Sequence, residues 1–310
     1  MLRREAVRLG KEVAQALEEG RPVVALESSV TVQGLPPPHN QQSARACANA
    51  IRESGVVPAI TGVVAGDPVA GLTEEEIERL LDPKNKARKV GNRDLAVARA
   101  FGYWGATTVS GTCTIAHAAG IRVFATGGIG GVHREAEQTF DVSQDLLAIA
   151  RSRVAVVTAG AKAILDLPRT LEALETLGVP VVGYGTSEFP AFYMNNSGLS
   201  LEYSVANPDE AARLLRARWE ELGQEGGVIF ANPIKAEAEA RPEEISEAIE
   251  AALRDAKDRG IKGKAVTPFL LAEVARRTGG GSLHANLALL ESNARVAGQI
   301  AQALAMARRP

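Results

Sequence analysis

The segment VAVVTAGAKAILD, residues 154–166, is a run of small apolar residues that ends at Gly160 and is followed by a single lysine, Lys162. A short apolar run bounded by glycine is typical of a strand that is buried on both faces of a sheet. Open α/β sheets bind ligands just beyond the carboxyl ends of such strands. The segment therefore predicts a central strand and places a lysine where a ligand site is expected.

Similar apolar runs recur along the chain, with helical stretches between them. The capping signals of those stretches include Thr73 before an acidic first turn and Pro242 at the start of a stretch that closes on Gly260. This alternation predicts an α/β fold with three layers, α/β/α, around a mostly parallel central sheet. The sequence shows no linker, low-complexity tract or internal repeat, so we expect residues 1–310 to form a single domain. The other predicted strands are 22–28, 57–66, 105–112, 121–128, 179–185 and 226–233.

The composition excludes several classes of protein. The chain has 310 residues, is 45% hydrophobic and 23% charged, and carries a formal net charge of -2, which leaves no basic field for nucleic acid. No stretch approaches the roughly 18 apolar residues that span a membrane. Residues 1–20 mix arginine with glutamate, so we expect a surface helix there and no signal peptide. The two cysteines have no disulfide or metal spacing, which favours a cytoplasmic protein.

Nearly every predicted strand ends in a polar or glycine-rich stretch. Because the carboxyl ends of parallel strands meet at one edge of the sheet, we expect these stretches to converge on a site. Each stretch taken alone is equally compatible with a helix cap or a turn. The stretches are 27–29, 89–94, 112–114, 126–133 and Lys162.

The stretch VFATGGIGGVHR, residues 123–134, has four glycines within five residues. Glycines at such a turn can direct backbone N–H groups toward a phosphate, and His133 and Arg134 can donate to one. A purely structural turn is the alternative, and both stay open at this point. The stretch fails as a dinucleotide-binding fingerprint because His133 occupies the position of the third glycine.

Three acidic residues are candidates for chemistry. Glu27 closes an apolar strand, where partial burial would raise the pKa of its carboxyl and suit it to proton transfer. Asp141 and Asp145 have i, i+4 spacing and could share one helix face as ligands of a hard divalent ion, or be a cap and a solvated acid. The remaining histidines lack zinc-ligand spacing.

Lys162 is flanked by alanine and isoleucine. Desolvation there would favour a neutral amine that can attack a sugar carbon, whereas arginine, which outnumbers lysine in this chain, cannot lose its proton. The alternative is a lysine that extends from a helix start to solvent.

Three long segments resemble one known family. ALESSVTVQGLPPPHN (25–40), VFATGGIGGVHREAEQTFDVSQDL (123–146) and VTAGAKAILDL (157–167) closely resemble pseudouridine-5'-phosphate glycosidases, a family that includes indigoidine synthase A-like proteins. The resemblance runs from about residue 20 to about residue 300. It implies reversible cleavage of the carbon–carbon glycosidic bond of pseudouridine 5'-phosphate to uracil and ribose 5-phosphate.

The resemblance also implies roles for residues at matching positions. Lys162 would form a ring-opened covalent adduct with the sugar, Glu27 would be the proton donor, and Asp141 would bind a divalent metal, typically Mn²⁺. Gly91 and Asn92 stand where the family pattern has serine and arginine. Family members are trimers, so a homotrimer is expected. The implied substrate-binding residues are Lys89, Val109, Thr126, His133, Ser143, Gln144, Asp145 and Asn286.

Two other functions remain open from the residues alone. The same lysine would serve a Schiff-base lyase or aldolase that acts on another sugar phosphate. A non-catalytic nucleotide-binding or accessory protein is the third possibility, but the presence of both Glu27 and Lys162 argues against it.

Overall fold

The centre of the protein is a sheet of parallel strands, seen in a computed structural model that describes residues 2–261, 263 and 266–306. The strands of the described residues are β1 Arg8–Leu9, β2 Val23–Leu26, β3 Val57–Val64, β4 Asp67–Ala70, β5 Arg88–Val90, β6 Gly105–Thr107, β7 Val123–Ala125, β8 Ala155–Thr158, β9 Val181–Tyr184, β10 Tyr203–Val205 and β11 Val228–Ala231. Along the sheet, neighbouring strands in the order β3, β2, β7, β8, β11, β9 and β10 are parallel.

The predicted buried strands form the middle of this sheet. Every residue of β2, β7, β8 and β11 is buried, and Val156 of β8 pairs with Phe124 on one side and Ile229 on the other. Because both faces of these strands are covered, their sequences are continuous apolar runs with no alternation.

Helices pack on both faces of the sheet. On one face, α12 packs against α2 and α9 and lies along β2, β7 and β8; elsewhere α5 packs against α7 and contacts β2, β3 and β7. The expected three-layer α/β/α fold is therefore confirmed. The helices are α1 Lys11–Glu18, α2 His39–Arg52, α3 Glu74–Leu81, α4 Leu95–Phe101, α5 Val109–Ala119, α6 Ala136–Thr139, α7 Gln144–Arg151, α8 Leu167–Thr176, α9 Pro208–Arg216, α10 Pro242–Asp258, α11 Val266–Arg277 and α12 Gly281–Met306.

The capping signals are confirmed, but the N-terminal prediction is only partly right. Thr73 caps α3 in a reciprocal pair of hydrogen bonds with Glu76, and Pro242 begins α10. The expected N-terminal helix covers only Lys11–Glu18, since the short strand β1 pairs with β4. Within the described residues, no helix is long and apolar enough to cross a membrane.

One edge of the sheet departs from the parallel prediction. Strand β3 continues past its pairing with β2 and runs antiparallel to both β4 and β6, while β5 is parallel to β6. The strand expected over 105–112 ends at Thr107, because the chain turns into α5 after Thr108. Thr112 therefore lies inside a helix, where its hydroxyl joins those of Thr61 and Thr107 in a buried cluster, and residues 112–114 do not line the cavity described below.

The turn after β8 depends on glycine at position 160. Gly160 has a φ of 85°, and a Cβ there would lie 2.2 Å from the carbonyl oxygen of Pro190. Gly120 has a similar φ of 82° with nothing within 4 Å of a Cβ. The two glycines therefore share the left-handed conformation and differ in the space around them.

We expect Gly120→Ala to lower the free energy of unfolding by about 1 kcal/mol, the cost of a left-handed alanine. Gly160→Ala should lower it by clearly more, because the methyl group also collides with backbone. Urea unfolding followed by circular dichroism measures both. Equal losses for the two variants would contradict a special steric requirement at Gly160.

Candidate active site

A cavity of about 350 Å³ lies where the loops after β2, β5, β7 and β8 converge. Nine of the eleven residues expected at the site line it, whereas Thr126 and Asn286 do not. For β2, β7 and β8 the convergence follows from the parallel register, which brings these strand ends to one edge. Strand β5 reaches the same place by another route, because β6, its parallel neighbour, runs antiparallel to the far half of β3. The nine residues are Glu27, Lys89, Val109, His133, Asp141, Ser143, Gln144, Asp145 and Lys162.

Glu27 is the first residue after β2, and hydroxyl groups bind both of its carboxyl oxygens. Ser29 Oγ donates to Oε2 at 2.5 Å, and Thr126 Oγ1 donates to Oε1. Burial raises the pKa of the Glu27 carboxyl, while the charge of Lys162 and these two hydrogen bonds oppose the rise. The net rise keeps a larger fraction of Glu27 protonated near neutral pH, as a proton donor requires.

Lys162 sits in the loop after β8, half-buried, with its backbone N–H bonded to the carbonyl of Ile129 at 3.1 Å. Its Nζ donates to the carbonyl oxygen of Gly128 at 2.6 Å. The amine therefore points into the cavity wall between the glycine-rich loop and Glu27, and does not extend to bulk solvent. A lysine and a carboxyl of raised pKa thus face the same cavity.

The glycine-rich loop packs closely against its neighbours, and its backbone amides turn inward. A Cβ at Gly128 would meet the ring of Phe192 at 2.6 Å, and one at Gly131 would meet Thr170 Oγ1 at 2.4 Å. Gly130 N donates to Asp145 and Val132 N donates to Thr170. These contacts favour the structural alternative for the loop over an anion cradle.

Asp145 is only 6% exposed and binds two segments together. Its Oδ1 accepts the backbone N–H of Ser110, in the first turn of α5, and its Oδ2 accepts that of Gly130, both at 2.9 Å. Although Asp145 lines the cavity, its carboxylate oxygens are thus already engaged by protein amides.

Asp141 and Asp145 do not share a helix face. Helix α7 begins at Gln144 with Ser143 as its cap, so Asp141 lies in the preceding loop. There the carboxylate of Asp141 is near His133. The pKa of His133 is lowered, chiefly by burial; the charge of Asp141 opposes this shift and the charge of Lys162 adds to it. Across the described residues, no group of three or more histidine, cysteine, aspartate or glutamate side chains forms a metal cluster.

The two expected residues outside the cavity wall support it from behind. Thr126 reaches Glu27 through its hydroxyl, and its carbonyl accepts a hydrogen bond from Asn293 Nδ2 of α12 at 2.8 Å. Asn293 is itself held by Asn232, at the end of β11. Asn286 is buried on α12 beside Gly127. No sequence motif pointed to Asn293.

The cavity also contains residues that the sequence did not single out. Gln33 lines it, and Gln33 Oε1 is buried without a hydrogen-bond partner in the described part of the chain. Arg93 follows Lys89 in the KVGNRD motif, and its backbone N–H donates to Gln144 Oε1 at 3.1 Å. Helix α11 adds Thr267 and Leu271. Gln33 lies in the 25–40 segment and Arg93 in the 89–94 stretch, so both stand in sequence features noted above, although neither was named as a site residue.

Comparisons with known proteins agree with the resemblance drawn from the motifs. The family model described as indigoidine synthase A like protein matches residues 12–303. A Myxococcus xanthus protein named pseudouridine-5'-phosphate glycosidase is 56% identical over 97% of this chain and 99% of its own length. A protein of the same name from Caldanaerobacter subterraneus is 52% identical over 94% and 95%.

Two solved structures share the fold. The prealnumycin C-glycosynthase AlnA, in complex with ribulose 5-phosphate, has a TM-score of 0.89 and 41% identity over 97% of this chain and 98% of its own. An indigoidine synthase A-like protein from Thermotoga maritima has a TM-score of 0.87 and 38% identity, covering 96% of each chain. On this evidence the chain belongs to the indigoidine synthase A-like protein family.

Proposed function

We propose that this chain is a pseudouridine-5'-phosphate glycosidase, which reversibly cleaves pseudouridine 5'-phosphate to uracil and ribose 5-phosphate. The observation that carries the proposal is that the Lys162 amine and the Glu27 carboxyl face one cavity. The relatives that bear this name are about half identical to the chain over nearly its whole length. On the resemblance drawn from the sequence motifs, we propose that residues 1–310 act as one domain in the cytoplasm, as a homotrimer.

The bond to be broken sets the chemical problem. Uracil is attached through C5, a carbon with no lone pair that an acid can protonate before departure. An amine solves this by attacking C1' and opening the ribose ring, so that the nitrogen lone pair can stabilise C1' as an iminium when the bond to uracil breaks. This requires a nucleophilic nitrogen against the anomeric carbon and an acid near the ring oxygen.

In the proposed sequence, neutral Lys162 forms a bond from Nζ to C1' as the bond from C1' to the ring oxygen breaks. Glu27 gives its proton to that oxygen, and the nitrogen releases one. The C5 carbon of uracil then gains a proton, the C1'–C5 bond breaks, and its electrons remain with uracil, while an iminium forms on Lys162. Water adds to the iminium and releases ribose 5-phosphate, which restores the amine.

Other residues of the cavity wall are proposed to hold the substrate. Lys89, Arg93 and His133 can donate to phosphate or sugar oxygens, and Ser143 and Gln144 at the start of α7 can bind polar atoms of the base or sugar. Val109 supplies an apolar surface. Asp145 accepts hydrogen bonds from two backbone amides, so its proposed role is to hold two segments of the cavity wall together.

We also propose that Asp141 binds Mn²⁺. Its carboxylate accepts no hydrogen bond from the described residues, and a hard cation can bind one carboxylate while keeping waters and substrate oxygens as its other ligands. When bound there, the ion would neutralise negative charge on the substrate. The residues fit a hydrated ion of this kind and not a cage made of protein ligands alone.

A Schiff-base lyase or aldolase on another sugar phosphate is the second candidate. The AlnA structure, which holds ribulose 5-phosphate, favours sugar phosphates as the ligand class. Uracil release from pseudouridine 5'-phosphate, without cleavage of 2-deoxyribose phosphates, separates the first candidate from the second.

Borohydride reduction tests the covalent step. Incubation with ribose 5-phosphate and borohydride should add the mass of one reduced sugar phosphate to the wild-type protein, because reduction traps the iminium. Lys162→Ala should show no adduct, while Lys84→Ala, which removes an exposed lysine, should be labelled like the wild type. An adduct that persists in Lys162→Ala would refute the assignment; intact-mass spectrometry provides the measurement.

The pH dependence of kcat/KM tests the acid. If Glu27 acts in its protonated form, activity falls as pH rises through its pKa, which burial has raised. The Ser29 hydrogen bond stabilises the ionised carboxylate, so Ser29→Ala should raise this pKa further and move the falling limb to higher pH. Glu27→Gln should lower kcat by about 100-fold or more. A Ser29→Ala limb that moves to lower pH contradicts the assignment.

A further inference from the structure

Glu27 also faces a second, much smaller cavity, here called the rear chamber. Its volume is about 30 Å³, and it shares Glu27 and Val30 with the wall of the active-site cavity. Helix α2 contributes Ser43, Ala44 and Cys47 to its far wall. Glu27 therefore lies between two spaces, one of substrate size and one far smaller.

The rear chamber has the size and the polar groups that suit a single water molecule. Water needs a space of at least about 10–15 Å³ and two to four polar partners. Glu27, Thr126, Ser43 and Thr31 all line the chamber. Thr31 is 7% exposed, and its hydroxyl forms no hydrogen bond with another described residue.

The rear chamber is next to a groove that opens to solvent. This outer groove, of about 390 Å³, runs between α1, α2 and α3, and exposed Lys11 and Glu74 stand at its rim. Thr31, Ala44 and Ile60 line both the groove and the chamber. Thr31 thus lies between the solvent side and the space beside Glu27.

We propose that one water molecule occupies the rear chamber and, together with the Thr31 hydroxyl, carries protons between solvent in the outer groove and the Glu27 carboxyl. The inference rests on the proposed function, in which Glu27 donates a proton in each turnover. A bound nucleotide fills the active-site cavity and separates Glu27 from solvent on that side, since ligand sites bury most of their ligand's surface.

The transfer balances at each atom. Ionised Glu27 gains a proton from the chamber water as that water gains one from the Thr31 hydroxyl. The Thr31 oxygen in turn gains a proton from water in the outer groove, and solvent supplies the last. Each oxygen along the path forms one O–H bond and breaks one, so only Glu27 and solvent change protonation.

Matched variants test the path. Thr31→Val keeps the shape and removes the hydroxyl, while Thr31→Ser keeps the hydroxyl. Ala44→Leu fills the chamber, whereas Ala48→Leu makes the same change one turn along α2, where the side chain lines the groove and not the chamber. Thermal unfolding of each variant establishes that it folds.

We expect Thr31→Val and Ala44→Leu to lower kcat for uracil release by about tenfold or more, part of the roughly 100-fold that positioned proton transfer contributes. KM should stay within about twofold, and the D₂O effect on kcat should grow, because proton delivery becomes limiting. Thr31→Ser and Ala48→Leu should keep both wild-type values. Wild-type kcat and isotope effect in Thr31→Val would overturn the relay while leaving the proposed function intact.

A crystal structure of the wild-type protein supplies a second measurement that needs no activity. Ordered water in the rear chamber, within hydrogen-bond distance of Glu27 and Thr31, is the expected result, and density that excludes water there would overturn the inference. If water is present and the wild-type protein releases no uracil, the proposed function fails and the water site stands.

Discussion

Backbone pairing between two loops holds the site together. The parallel ladder of β7 and β8 continues beyond the strands, as Ile129 N donates to Gly160 O and Lys162 N donates to Ile129 O. These bonds fix the start of the Lys162 side chain relative to the loop that follows β7, and Thr126 of that loop holds Glu27. Backbone geometry therefore sets where the two side chains start, and the bond from Lys162 Nζ to the Gly128 carbonyl orients the amine.

Three carboxylates near the cavity show how environment gives one functional group different properties. Glu27 has hydroxyl donors and a raised pKa, Asp145 has two backbone amide donors, and Asp141 has no hydrogen-bond donor among the described residues. A carboxylate that binds amides orders the structure, one that is desolvated beside hydroxyls can exchange a proton, and one without donors can bind a cation. The sequence contains all three acids, but apart from Ser29 their hydrogen-bond donors, Thr126, Ser110 and Gly130, come from distant segments.

The features that could be predicted from the sequence are those formed by residues adjacent in the chain. The buried strands and Lys162 were accessible because an apolar run, a glycine and a following polar residue are contiguous, and the parallel sheet then brings such ends together. The strands β1, β4 and β5 have two to four residues, too few to show a period, and the antiparallel pairing of β3 depends on contacts distant in sequence. The glycines of 127–131 looked suited to an anion, whereas Phe192 and Thr170, far along the chain, explain the need for glycine at positions 128 and 131.

The hydrogen bond from Asn293 to Thr126 means that the site is complete only after the last described helix has packed against the sheet. Helix α12 is the final described helix, and its buried amide supplies the donor for the carbonyl of the residue that holds Glu27. A chain emerging from the ribosome would already have β2, β7 and β8, yet Thr126 would lack this support until α12 is released and docks. Synthesis thus delays completion of the reactive centre until the sheet around it has formed.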